Sequence, residues 1–144
     1  MGKVTISNVL STKLKIIPNE NGDIFRVLKN SENCFRSFGE AYFSQIKFKK
    51  IKAWKRHKRM TCNLIVPKGE VKFVFTDDLK NIKEEIIGES NYSRLTIPPG
   101  IWFGFQGCKF PDSMVLNIAD IQHEPLESET INIDEMAYSW GEVK

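Results

Sequence analysis

An all-β, single-domain antiparallel barrel or sandwich is the fold class this sequence predicts, on three observations. Apolar residues recur at every second position in short runs. Turn residues separate those runs, and segments with a helical period are scarce. The chain has 144 residues, 41% hydrophobic and 27% charged, which suits one closed core rather than a disordered polymer. No internal repeat, linker or low-complexity stretch divides it.

Strands are expected at 4–9, 23–28, 42–48, 51–57, 62–66, 69–76, 95–97, 101–105 and 114–118. The run 69–76 shows the logic: Val71, Phe73 and Phe75 fall on one face, with polar or smaller residues between them. Turns are expected at Asn19-Glu20-Asn21-Gly22, Pro67-Lys68-Gly69, Pro98-Pro99-Gly100 and Phe110-Pro111-Asp112. The stretch 77–88 reads either as a short helix or as an irregular connection between strands.

Several classes of protein are excluded at this level. The apolar runs 62–67 and 114–119 are far too short to span a membrane. The first 13 residues alternate polar and apolar and lack the hydrophobic block of a secretion signal, and Met1-Gly2 reads as an ordinary start, so a cytoplasmic protein is expected. The three cysteines, Cys34, Cys62 and Cys108, form no CxxC pair, so neither a disulfide nor a zinc framework is expected. Cys62 reads as a small buried residue. Asn91-Tyr92-Ser93 fits a glycosylation sequon, which carries no weight without a secretion signal.

Charge is unevenly spread. Eight Lys/Arg and no Asp/Glu lie between Lys47 and Arg59, which leaves 13 basic against 18 acidic residues elsewhere. A cationic strip on an otherwise acidic protein points to an anionic partner. Nucleic acid is the least favoured such partner, because there is no recognition helix and no ribonucleoprotein-type aromatic motif.

The strip contains Lys52-Ala53-Trp54-Lys55-Arg56-His57-Lys58. Strict alternation puts Ile51, Ala53, Lys55 and His57 on one side and Lys52, Trp54, Arg56 and Lys58 on the other. If the first set faces the core, a lysine and a histidine enter the barrel. A bulge at Lys49-Lys50 would reverse the faces. Against an inward role stand a Lys55 that snorkels to solvent and a His57 that merely hydrogen-bonds inside the barrel. Trp54 and Trp102 read as barrel or interface filling, and His123 as a structural loop residue.

Five motifs in order resemble the sugar-nucleotide epimerase and ketoisomerase branch of the cupins, the family of dTDP-4-dehydrorhamnose 3,5-epimerase. They are the turn at Pro18-Asn19-Glu20-Asn21-Gly22, the strand Phe38-Gly39-Glu40-Ala41-Tyr42-Phe43-Ser44, the catalytic strand at 51–60, the turn Pro67-Lys68-Gly69-Glu70-Val71, and Ile97-Pro98-Pro99-Gly100-Ile101-Trp102-Phe103-Gly104-Phe105. The late segment Ala119-Asp120-Ile121-Gln122-His123-Glu124-Pro125 is similar to the strand and loop that close the family's site. The resemblance implies a cupin jelly roll, that is, an antiparallel double-stranded β-helix. It also implies action on a nucleotide-linked 4-keto-6-deoxy sugar by enolisation next to the ketone, for bacterial surface polysaccharide such as lipopolysaccharide O-antigen.

This chain departs from the family pattern at three positions. Lys55 stands at the family's base histidine, Phe103 at the motif histidine, and Ile121 near the proton-donating tyrosine; His57 matches the second histidine of related ketoisomerases. The expected catalytic residues are therefore Lys55 and His57. Lys55 would act as a base of lowered pKa, as a cation beside an oxyanion with His57 as base, or as an imine former. The expected substrate contacts are Arg26, Lys52, Arg56, Asn63, Arg94 and Trp102, the cations chosen by charge for the diphosphate. Metal-binding cupins use histidines and a carboxylate where this chain offers Lys55, His57, Cys62 or Asn63, and Phe103, so no metal and no cofactor are expected. The family resemblance implies a homodimer through the N-terminal strands, for which the run 4–9 and Trp140 are candidates. The competing expectation is a cupin that binds a sugar nucleotide or a partner enzyme without catalysis.

Overall fold

The protein is described here from a computed structural model that covers residues 3–78, 80–141 and 143. Met1, Gly2 and the last part of the acidic C-terminus lie outside the described residues, as does Leu79 within the stretch 77–88. Twelve strands are present among the described residues: β1 (Leu10–Lys13), β2 (Ile16–Ile17), β3 (Ile24–Phe25), β4 (Glu40–Lys47), β5 (Ile51–His57), β6 (Cys62–Lys68), β7 (Glu70–Thr76), β8 (Ile82–Gly88), β9 (Ser93–Ile97), β10 (Trp102–Gly107), β11 (Asp112–Ala119) and β12 (Ser128–Thr130).

They form two facing antiparallel sheets, ordered β1-β9-β6-β11-β4 and β12-β5-β10-β7-β8, with a small β2-β3 hairpin beside them. Consecutive strands mostly cross from one sheet to the other, which is the jelly-roll winding. No helix among the described residues is long and apolar enough to cross a membrane.

The alternating side chains produce the core directly. In β11, Val115, Asn117 and Ala119 turn inward while Met114, Leu116 and Ile118 stay half-exposed on the outer face. Phe73 and Phe75 of β7 meet Leu95 and Ile97 of β9 across the interior, none more than 2% exposed. Each such side chain contributes about 1.5–3 kcal/mol by leaving water. The turn between β6 and β7 requires Gly69, whose φ is +91°, and a Cβ there would lie 2.1 Å from Ser113 Oγ.

Several elements differ from the sequence expectation, and the strand expected at 23–28 is reduced to Ile24–Phe25, paired with an unexpected β2. The run 4–9 is not a strand: it holds a 3₁₀ turn at Ile6–Asn8, and β1 begins at Leu10. Thr5 N donates to Asn8 Oδ1 at 2.9 Å and Ile6 N to Asp77 Oδ2 at 3.0 Å, so side chains capture the amides a ladder would need. The stretch 77–88 resolves into β8, fully registered against β7. The short β12, which carries no apolar alternation, pairs with the end of β5 through Ser128, Glu129 and Thr130.

The segment between β3 and β4 is anchored by Arg94 of β9. Its guanidinium is 1% exposed as a residue and donates to Glu32 Oε2 at 2.6 Å and to the Val27 carbonyl at 2.7 Å. The Arg94 guanidinium beside Glu32 holds that carboxyl below the usual carboxylate range. Arg94→Ala is expected to cost about 2 kcal/mol, since one partner of a buried pair is removed but Glu32 can still reach water. A lowered urea midpoint with unchanged m-value would register this loss.

Candidate active site

Between the two sheets lies a cavity of about 310 Å³. Its β5–β10 wall carries Lys52, Lys55, His57, Phe103 and Phe105, and the facing wall carries Tyr42, Ser44, Leu64, Val115 and Asn117. Thr130 of β12 closes one side.

Lys55 and His57 point inward as alternation requires, but Lys52 joins them. In the β5–β10 ladder Lys55 opposes Phe103 and Lys52 opposes Phe105, so three steps on β5 match two on β10. The extra residue is a bulge at Ala53-Trp54, rather than at Lys49-Lys50, and it moves Lys52 from the outer to the inner set. Trp54 faces outward and is 1% exposed beneath the C-terminal segment. Gly104 makes room for the bulge: a Cβ there would lie 2.5 Å from Ala53 Cβ.

His57 is the most constrained group. The residue is 8% exposed, and its Nδ1 lies 2.7 Å from Glu127 Oε1. The other carboxyl oxygen of Glu127 accepts the Arg59 and Met60 amides, both at 2.9 Å. Burial pushes the Glu127 carboxyl up, but those amides and the His57 ring outweigh it and hold the group below its usual range. An ionised Glu127 accepts, so Nδ1–H donates, and in the neutral ring the lone pair is on Nε2. The ring lies nearly parallel to Phe103, 30° between planes at 6.3 Å, and Phe103 in turn leans on Phe75.

The two lysines differ in how they are held. Lys52 Nζ donates to Ser44 Oγ at 3.0 Å and to the Gln45 carbonyl at 2.6 Å, above the Phe105 ring. Lys55 is half-buried, and its Nζ has no hydrogen-bond partner among the described residues. On the opposite wall Asn117 Nδ2 donates to Tyr42 Oη at 3.1 Å. Burial raises the Tyr42 phenol above its usual value, and the Asn117 bond opposes that rise. Cys62 Sγ lies 3.6 Å from the same Asn117 nitrogen, and burial pushes this thiol up to about 12.

Of the expected substrate contacts, Lys52 lines the cavity, and Arg26, Arg56, Asn63, Arg94 and Trp102 lie outside its lining. Arg56 stacks on Trp102 at 4.6 Å on the outer face and bonds Glu129 at 2.6 Å and Asp78 at 3.3 Å. Arg94 is committed to Glu32 and Val27. Asn63 Oδ1 accepts from Thr96 Oγ1 at 2.6 Å on the β6–β9 pair, away from the cavity lining. Arg26 belongs to a separate cleft with Lys13, Lys15 and Glu32. The arginines were selected by charge alone, and ion pairs inside the fold absorb that of Arg56 and Arg94.

Sequence reasoning missed Tyr42, Asn117 and Glu127. Tyr42 was accessible: alternation through Tyr42 and Ser44 puts both on one face of a strand already recognised as leading to the site. Nothing local singles out Glu127, which lies 70 residues beyond His57. Among the described residues no group of three or more His, Cys, Asp or Glu is placed to hold a metal ion.

A buried imidazole with its tautomer fixed by a carboxylate, faced by a phenol and flanked by amines, is equipped to move protons beside a carbonyl. That places the chain among the acid–base isomerases built on a cupin barrel. It belongs to the dTDP-sugar isomerase family: a dTDP sugar isomerase from Desulfovibrio desulfuricans G20 is 31% identical with a TM-score of 0.88, the match covering 96% of this chain and 95% of that one. A sugar 3,4-ketoisomerase from Thermoanaerobacterium thermosaccharolyticum, solved with TDP, shares the fold at 18% identity and a TM-score of 0.76, over 91% of this chain and 96% of that one. So does a dTDP-4-dehydrorhamnose 3,5-epimerase from Sulfolobus tokodaii, at 21% identity and 0.81, over 94% and 84%. No protein-family model and no curated protein matches the sequence.

Proposed function

We propose that this chain isomerises or epimerises a dTDP-linked 4-keto-6-deoxy sugar by enolisation. His57 Nε2 removes the proton from the carbon beside the ketone; the pair of that C–H bond becomes the enolate C=C bond, and the carbonyl π pair moves to the oxygen. Lys55 Nζ, the amine without a partner in the cavity, donates to this oxygen as charge develops on it. Tyr42 faces His57 from the other wall and returns a proton to carbon, after which solvent resets both groups. Lys52, held by Ser44 and Gln45, offers a cation to the diphosphate.

The observation that carries this reading is the His57–Glu127 bond, because it leaves one nitrogen of a cavity-lining ring free to accept a proton. Incubation with a dTDP-4-keto-6-deoxy sugar in deuterated water is expected to place deuterium beside the ketone. Tight binding without exchange would overturn catalysis in favour of a binding module. Lys55→Met is expected to lower kcat about 100-fold, the scale of one oxyanion donor. An unchanged kcat would remove Lys55 from the mechanism.

The same reading takes the functional unit as a homodimer and leaves nucleic acid without a role. Edge strand β1 exposes Leu10 at 52%, and the β2–β3 hairpin exposes Ile24 and Phe25 at 51% and 46%. Trp140, at 8% exposure, is covered within its own chain and offers nothing to such an interface. The basic strip is not a continuous phosphate track: Arg56 pairs with Glu129 and Asp78, Arg59 pairs with Glu124, and Lys52 and Lys55 turn into the cavity.

A further inference from the structure

We infer that the C-terminal segment from Ile131 to Trp140 is a strap that sets substrate affinity, with Trp140 and Trp54 as positioning residues acting through Lys52. The inference rests on the proposed function for the role of Lys52, but its structural half stands without it.

The bulge at Ala53-Trp54 decides which way Lys52 points. A regular β5 would return Lys52 to the outer face and leave the cavity with Lys55 and His57 alone. A bulge leaves a residue without a ladder partner on one side, so something else has to hold it. Here the strap does so. Trp54 N donates to the Ile131 carbonyl and Ile131 N to the Trp54 carbonyl, both at 3.2 Å. Trp54 Nε1 donates to the Ile133 carbonyl at 3.1 Å. The indole packs against Trp140 at 5.3 Å between ring centres and edge-on to Tyr138 at 6.1 Å.

The far end of the strap is fastened to the sheet in its own right. Lys72 Nζ donates to the Trp140 carbonyl at 2.8 Å and lies 5.5 Å from both the Tyr138 and Trp140 ring centres. Tyr138 Oη donates to Glu84 Oε2 at 2.5 Å. No strap residue from Ile131 to Trp140 lines the cavity; the strap meets the lining at Trp54 of β5 and at Thr130, which precedes it.

The split between residues follows from geometry. Lys55, Arg56 and His57 are registered on β12, which precedes the strap, whereas Lys52 lies on the far side of the bulge. Loosening the strap is therefore expected to free Lys52 and leave the His57–Glu127 pair in place. Affinity should fall while kcat stays.

The test is a double-mutant cycle on TDP binding by calorimetry, with Lys52→Ala, Trp140→Ala and the pair, checked for a single thermal unfolding transition. Lys52→Ala and Trp140→Ala are each expected to weaken TDP about tenfold, the double no more than either alone, since residues acting through one contact do not add. Trp140→Ala should keep kcat within about threefold, and Trp140→Phe should restore affinity by refilling the aromatic contact. Additive losses, or wild-type affinity in Trp140→Ala, would overturn the inference. If Lys52→Ala binds TDP normally, the assignment of Lys52 to the diphosphate is what failed. Hydrogen exchange of the amides at 51–54 then decides the strap: faster exchange in Trp140→Ala supports it, and unchanged exchange overturns it.

Discussion

His57→Asn is expected to lower kcat by about three orders of magnitude, within the usual range for a positioned general base. Affinity for TDP should stay within about twofold, because the ring is not the group assigned to the diphosphate. The argument is one of atoms. Glu127 occupies Nδ1, which leaves Nε2 as the accepting nitrogen of the His57 ring. An asparagine amide can satisfy Glu127 but carries no basic lone pair. Rate loss with retained binding therefore separates a base from a mere filler. Deuterium exchange at the carbon beside the ketone reads the proton step directly, and calorimetry reads binding. If the variant turns over normally, Lys55 becomes the base and His57 a structural histidine, one of the readings its sequence position left open.

Why the fold was legible and part of the site was not comes down to range. Ile51–His57 as a strand follows from neighbours two apart, and the bounds in the structure are those of the sequence reading. The inward direction of Lys55 and His57 was reached by taking Ile51 to His57 as one unbroken alternation with Ile51 facing the core, whereas Ile51 packs with the outward-facing Trp54. That assumption broke in the middle. Only Gly104, which accommodates Ala53 from the neighbouring strand, hints at the bulge, and it does so across a pairing that the sequence does not display. Lys52 was named for its charge and assigned to the outer face, whereas in the structure it lines the cavity.

Long-range partners set the other limits. Arg94 looked like a free cation for phosphate, but Glu32, 62 residues away, holds it. Arg56 carries Glu129 and Asp78 on its outer face. A residue type reports what chemistry a side chain can do, whereas the fold decides whether that chemistry is already spent. The cavity's aromatic lining shows the converse. Phe103 gives the cavity an aromatic wall for His57. Tyr42, from the strand facing it, supplies a phenol to the same lining.

Glu127→Gln and Glu127→Ala should separate the two jobs of this carboxylate. The Glu127 side chain is 2% exposed and takes three hydrogen bonds, from Arg59 N, Met60 N and His57 Nδ1. Alanine strands all three donors and is expected to cost about 3 kcal/mol at pH 7. Glutamine keeps the volume and can still accept the two amides, so its stability loss should be smaller. Its remaining NH₂ faces His57 Nδ1, however, and as a donor it forces the proton onto Nε2. The base then presents N–H to the substrate, and kcat should fall by about three orders of magnitude, for the same wrong-tautomer reason that an amide in place of a catalytic triad's carboxylate lowers the rate.

The pH dependence has a definite sign. The folded carboxyl is held below its ordinary value of 4.5, so its contribution is complete above that value and is lost as pH falls through the folded one. Urea unfolding of wild type and Glu127→Gln should differ most near neutrality and converge in acid. A stability gap that stays constant across the acid range would show that the charge on Glu127 adds nothing to the fold, and a Glu127→Gln enzyme with wild-type kcat would show that the carboxylate does not set the tautomer of His57.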